Sequence, residues 1–153
     1  MENLSRILAE HPFMKGLETK YIELLVGCAS NVRFDPEAFV FREGEEANQF
    51  FLIRQGRIAL AIHSETHGPI IIQTLEKGDI LGWSWLAPPY YRHLDAQALE
   101  LTRVIAFDGK CLRTKCQEDK NLGYELLMRM VPVMGNRLEA TRLKLIDVFK
   151  ASH

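Results

Sequence analysis

The segment Phe41–Leu60, FREGEEANQFFLIRQGRIAL, decides the fold. Two runs rich in β-formers, Gln49–Arg54 and Arg57–His63, are separated by Gln55 and Gly56, and Gly44 precedes the first. Ile58, Leu60 and Ile62 alternate with smaller or polar residues, the period of a strand with one buried face. Further strands are predicted at Ala38–Arg42, Ile70–Leu75 and Thr102–Phe107. The run PIIIQTL suits burial on both faces. Gly44, Gly56, Gly68 and Gly78 punctuate the series at roughly the 8–12-residue spacing of a sandwich or barrel. With no helix interleaved, the pattern reads as an all-β core and not as a parallel α/β sheet.

Helical texture flanks this core. Tyr21, Leu24, Leu25 and Cys28 fall at i, i+3, i+4 and i+7, one apolar face of a helix. Next comes SNVRFDPEAF, whose Asn, Asp and Pro read as a turn region. Asp108 is placed to cap a short helix, GKCLRTKC. The strongest periodicity lies at the end: Leu127, Val131, Met134, Leu138, Thr141, Leu145 and Val148 follow one another at alternating spacings of four and three. A seven-residue repeat keeps one seam of two helices in contact, so these residues are expected to form a homodimer interface. The competing reading is a helix packed on its own β core. Pro132 predicts a kink early in this helix.

The 153 residues suffice for one domain with a real core. Composition is that of an ordinary globular protein, 47% hydrophobic and 25% charged. A net charge of -1 gives no basic excess for autonomous nucleic-acid binding. No apolar run approaches the roughly 20 residues of a membrane span. MENLSRILAEHPF lacks the apolar centre of a signal peptide. A cytoplasmic location is therefore expected. Cys28, Cys111 and Cys116 form an odd set without paired-ligand spacing, and are read as buried or half-buried thiols with no disulfide framework and no metal.

The order of elements, together with FREGEEANQFFLIRQGRIAL and LEKGDILGWSWL, resembles the cyclic-nucleotide-binding domain of the bacterial catabolite-activator and Fnr-like regulators. Phe41, Gly44, Glu45, Gly56, Gly78, Asp79 and Gly82 carry the resemblance, and PFMKGLETKYIELL is similar to the family's leading helices. It covers nearly the whole chain. It implies a mainly β fold with flanking helices: N-terminal helices in 1–30, a β jelly roll (double-stranded β-helix) in 31–107 with a phosphate-binding cassette in 78–99, and C-terminal helices in 108–150. The long last helix is implied to dimerise.

In active members of that family the cassette's opening glycine is followed by a glutamate for the ribose hydroxyl. An arginine further on pairs the cyclic phosphate, beside a Ser or Thr. Here Gly82 is followed by Trp83, Arg92 falls at the phosphate arginine, and His93 replaces the hydroxyl residue. Losing the carboxylate removes a charge-assisted hydrogen bond worth about 1.5–3 kcal/mol, which a donor-only indole cannot replace. The candidate ligand residues are Gly82, Trp83, Ser84, Trp85, Arg92, His93 and Thr141, the last at the threonine that reaches the purine in the catabolite activator. Arg137 matches an arginine that pairs with the missing glutamate, so it must pair elsewhere or face solvent. Arg142 stands where a serine would meet the purine from the other subunit. Trp83, Trp85, Tyr90 and Tyr91 fill the empty nucleotide cavity, line a pocket for a different ligand, or dock a partner protein. Pro88 and Pro89 stop any helix begun at Gly82.

The leading functional reading is a non-enzymatic regulatory module with an altered effector pocket, signalling through a homodimer or a regulatory protein partner. Its effector is a cyclic nucleotide such as cAMP or another small anion, and no cofactor is certain. No direct nucleic-acid or membrane binding is expected, since VFKASH follows the long helix with no helix-turn-helix pattern. The alternatives are a genuine cAMP-binding regulator, and a haem, metal or redox sensor using His11, His63, His67, His93 and the cysteines. No nucleophile–base motif or catalytic carboxylate pair points to an enzyme.

Overall fold

The structure, a computed structural model, describes residues 3–86 and 88–151; Ala87 of the cassette lies outside them. Eight strands form two antiparallel sheets. They are β1 (Ala29–Phe34), β2 (Phe39–Phe41), β3 (Gln49–Gln55), β4 (Arg57–Ser64), β5 (Gly68–Glu76), β6 (Ile80–Leu81), β7 (Asp95–Ala98) and β8 (Thr102–Asp108). One sheet runs β1-β8-β3-β6 and the other β2-β7-β4-β5, the order of an eight-stranded jelly roll. Helices α1 (Leu4–Glu10) and α2 (Thr19–Val26), with a 3₁₀ turn at Pro12–Met14 between them, precede the strands. Helices α3 (Gly109–Glu118) and α4 (Lys120–Ala151) follow them. No helix among the described residues is long and apolar enough to cross a membrane.

The run FFLI in β3 explains the layering. Phe51 and Ile53 enter the core between the sheets with Ile58, Leu60, Leu75 and Leu81. Phe50 and Leu52 face the other way, into a second core with Leu8, Tyr21, Leu25, Leu112, Leu122, Leu126 and Met130 of the helices. On β8, Val104 and Ala106 join the first core, while Ile105 and Phe107 join the second. Successive side chains on a strand point to opposite faces, so two interior strands buried on both faces need a sheet on one side and helices on the other.

Three sequence expectations are corrected here. SNVRF is not a turn but strand β1, paired to β8 with Val32 opposite Val104. The turn comes later, at Asp35–Glu37, where Glu37 has φ 73°. PIIIQTL is not buried on both faces: β5 is an edge strand of its sheet and Ile71 is exposed. Cys28 and Cys111 are joined by a disulfide, and only Cys116 is a free thiol. The β1–β8 register, Ala29 opposite Phe107, sets the end of α2 beside the start of α3, and the Asp108 amide donates to the Cys28 carbonyl at 2.9 Å. A contact across 83 residues leaves no local trace.

Helix α4 has two distinct faces. Leu122, Leu126, Met130 and Arg137 are buried against the body. Of the predicted seam, Leu127, Val131, Leu138, Thr141 and Leu145 are exposed, and Met134 and Val148 half-buried. The helix runs on through Pro132.

The turn sequence HSETH closes the β4–β5 hairpin, with the Ser64 hydroxyl accepting the Thr66 and His67 amides. No cluster of three or more metal-ligating side chains occurs among the described residues. His11 has a structural post instead. Its Nδ1 accepts the Phe13 amide at 3.2 Å, which places the ring proton on Nε2, and Nε2 donates to the Ile53 carbonyl at 3.1 Å. Burial holds this imidazole below its ordinary value, opposed by the Ile53 hydrogen bond and Asp79. The unfolded chain therefore binds the proton first as pH falls. The His11 contribution is intact above about pH 6.5 and is lost as pH drops from there through the depressed folded value. Thermal melts of wild type and His11→Gln between pH 5 and 8 should show this part of the acid destabilisation only in wild type.

Candidate functional site

The turn around FREGE organises the cassette. The Gly44 amide donates to the Arg92 carbonyl at 2.9 Å, the Arg92 amide to the Glu45 carbonyl at 2.8 Å, and the Ala47 amide to the Tyr90 carbonyl at 2.6 Å. The backbone of Tyr90–Arg92 is thereby fixed, and the Arg92 side chain turns inward until the residue is 4% exposed. Its Nη2 donates to the Gln49 carbonyl, and the guanidinium lies 4.1 Å from the Phe41 ring centroid. Its Nε and Nη1 are buried without a hydrogen-bond partner. Burial pushes the guanidinium down to about 10, opposed by Glu45, so it stays charged at neutral pH. A buried cation with two unused donors is an anion-seeking group.

Gly82 makes room for it. The backbone there has φ +86°, and a Cβ would collide with the Arg92 guanidinium. Trp83 follows, half-buried, and its indole faces a second buried arginine. Arg137 reaches in from α4, 6% exposed, with Nη2 donating to the Ile80 carbonyl and its guanidinium 5.3 Å from the Trp83 ring centroid. Burial lowers this group to about 10, with Asp79 opposing. An indole face is the best aromatic partner for a guanidinium. Gly82, Trp83, Ser84, Arg92, His93 and Arg137 meet with Phe41, Leu60, Leu81 and Leu94 around a cavity of about 50 Å³.

Two candidates lie elsewhere. Trp85 is buried in the helix-facing core, its ring centroid 5.7 Å from that of Phe50, and Arg113 Nη1 donates to its carbonyl at 2.5 Å. It lies two residues after Trp83; both pack on the helix-facing core, but Trp85 is buried within it while Trp83 sits at its margin and also lines the cassette cavity. Thr141 lies one turn beyond Arg137, exposed, with its hydroxyl donating to the Arg137 carbonyl at 2.8 Å; it takes no part in this chain's cavity. Arg142 pairs with Glu139 at the surface, at 2.5 Å. Tyr91 is exposed, and Tyr90 lies under Arg113, 4.2 Å from guanidinium to ring centroid. The apolar walls, Leu60, Leu81 and Leu94, were not singled out from sequence, though the alternation at Ile58–Ile62 put Leu60 on a strand's core face. Arg137 also had a signal: it continues the inward stripe Leu122, Leu126, Met130 seven residues on.

The family model for the cyclic nucleotide-binding domain matches residues 31–119, more than half of the chain. The chain belongs to this family. A cyclic nucleotide-binding domain from Methylobacillus flagellatus has the same fold, with a TM-score of 0.78 at 14% identity, over 94% of this chain and 81% of that one. The CRP-like cAMP-activated global transcriptional regulator of Mycobacterium tuberculosis is 23% identical over 145 residues, 95% of this chain and 63% of that protein. Human cGMP-dependent protein kinase 2 is 28% identical over 82 residues, 53% of this chain and 11% of the kinase. The chain thus spans between about a tenth and two thirds of these curated relatives. Domains of this family are regulatory and usually non-enzymatic.

Gly44, bonded to the Arg92 carbonyl, and Gly82, against its guanidinium, are both at positive φ and separate strain from collision. At Gly44, φ is +89° but a Cβ meets nothing within 4 Å, whereas at Gly82 it meets the guanidinium. Both alanine variants should lose about 1–3 kcal/mol from the backbone, and Gly82→Ala the larger amount, measured by urea unfolding.

Proposed function

We propose that this domain is a regulatory module whose effector pocket differs from that of a cyclic-nucleotide receptor. Trp83 and Arg137 close the space a nucleotide would take, and Arg92 is left to bind a small anion. The observation that carries this reading is the Trp83 indole over Arg137, beside a cavity of about 50 Å³. Ligand sites for small molecules run to about 300–1,000 Å³, and one water takes about 30 Å³. What fits is an ion of a few atoms, and the unpartnered Nε and Nη1 of Arg92 favour one with negative charge.

Signalling follows from the same contact. Arg137 belongs to α4, and Trp83 to the cassette, so any shift of the cassette loads the helix. An effector that binds one arrangement better shifts the population toward it. The output runs through the outer face of α4, where Leu138 is 72% and Leu145 67% exposed. That stripe supports a homodimer through Leu127, Val131, Met134, Leu138, Thr141, Leu145 and Val148, with Thr141 against the partner helix. A regulatory protein partner would use the same face. Cyclic AMP itself, the ligand in the name of the mycobacterial relative, would require Trp83 to swing out.

Two experiments test this. Thermal shift with formate, acetate, nitrate, sulfate and phosphate should find at least one stabilising anion whose effect disappears in Arg92→Met; saturation at about 100 times Kd adds about 2.7 kcal/mol. A flat response to all of them removes the anion site. Sedimentation equilibrium should give a dimer for wild type and a monomer for Leu138→Glu/Leu145→Glu, with melting unchanged in the β core. A wild-type monomer at high concentration removes the homodimer.

A further inference from the structure

We propose that a second cavity, between the Pro12–Met14 turn, the β5–β6 turn and α4, binds a small zwitterion of the α-amino-acid type and reports it to the cassette through Arg137. This cavity is about 300 Å³, several times the cassette pocket and large enough for such a ligand.

Its wall carries acceptors and donors in balance. Gln73 lines it, and the Gln73 Oε1 is buried without a hydrogen-bond partner, although a buried amide oxygen calls for a donor. Asp79 lines it too, its Oδ2 accepting the Glu76 amide at 2.8 Å. On the donor side stand Arg129 and Arg137. Arg129 gives Nη1 to Glu125 at 2.7 Å and Nη2 to the Lys15 carbonyl at 3.1 Å, and Arg137 gives Nη2 to Ile80. A guanidinium has five N–H donors, so each keeps some for a ligand. Each cation already has a carboxylate nearby, Glu125 for Arg129 and Asp79 for Arg137. A bare anion or a bare cation would upset that balance. A zwitterion does not: its ammonium donates to Asp79 and, once the Gln73 side chain turns out of the wall, to Gln73 Oε1, its carboxylate accepts from the arginines, and its side chain rests on Phe13 and Leu75.

Arg137 lines both cavities. A carboxylate that draws its guanidinium toward the second cavity weakens its stacking on Trp83. Binding itself is independent of what the cassette takes, while the report to Trp83 rests on the contact proposed above to carry the signal.

The test is isothermal titration of the full chain with each common free amino acid, alongside ¹⁹F NMR of protein labelled with 5-fluorotryptophan. The two tryptophans give two resonances, assigned with Trp83→Phe. The expected result is saturable heat from at least one amino acid and a shift of the Trp83 resonance. Affinity should fall about tenfold in Gln73→Met and in Arg129→Met. Arg129 is only partly buried, its side chain 19% exposed, so its variant keeps the test open should Gln73→Met fail to fold. Absence of heat from every amino acid, or affinity unchanged in folded Arg129→Met, overturns the proposal. So does affinity lost in Arg92→Met but kept in Arg129→Met, which places the ligand in the cassette. Heat with an unmoved Trp83 resonance overturns the report through Arg137.

Discussion

A strand that is apolar on both faces must be covered on both faces, and β3 with β8 imposes that condition on the whole molecule. The side toward Phe51, Ile53, Val104 and Ala106 is covered by the second sheet. The side toward Phe50, Leu52, Ile105 and Phe107 is covered by helices from both ends of the chain. Helix α4 is held to the jelly roll by Leu122, Leu126 and Met130 on that second side, and two turns further along it carries Arg137 to the cassette. The position of Arg137 is thus set by the packing of Leu122, Leu126 and Met130 on that second side.

The cassette then poses an electrostatic problem. Two guanidiniums, Arg92 and Arg137, are buried around a space of about 50 Å³, and an unpaired buried charge is expensive. Arg137 meets it with the Ile80 carbonyl, the Trp83 face and the field of Asp79. Arg92 meets it less completely, with the Gln49 carbonyl and the Phe41 face, and keeps two donors in reserve. The difference between the arginines separates their proposed roles: Arg137 links cassette to helix, and Arg92 waits for a ligand.

Much of this was legible in the sequence, and the residues show why. The hairpin at Gly56 and the strand pattern around Ile58 and Leu60 are local, and they announced an all-β core; the jelly roll came with the family resemblance, and a register shift after Leu60 leaves Ile62 exposed. The seven-residue repeat announced an outward face on α4 that the body leaves uncovered. What failed depended on distant partners. SNVRF became a strand because β8 pairs with it, and Cys28 met Cys111 because that pairing brings their neighbours together. Trp83 and Trp85 are two residues apart and of one type and share one core, yet only Trp83 also lines the cassette cavity. The family resemblance implied a glutamate where Trp83 stands, but that this indole would face Arg137 is a fact of packing.

The central claim is that Trp83 closes the pocket, and Trp83→Glu tests it most directly. That change places a carboxylate beside Arg137 and removes the large ring. Isothermal titration with cAMP should give no heat for wild type and saturable binding for Trp83→Glu. Saturable cAMP binding by the wild-type chain, unchanged or weakened in Trp83→Glu, would contradict the account.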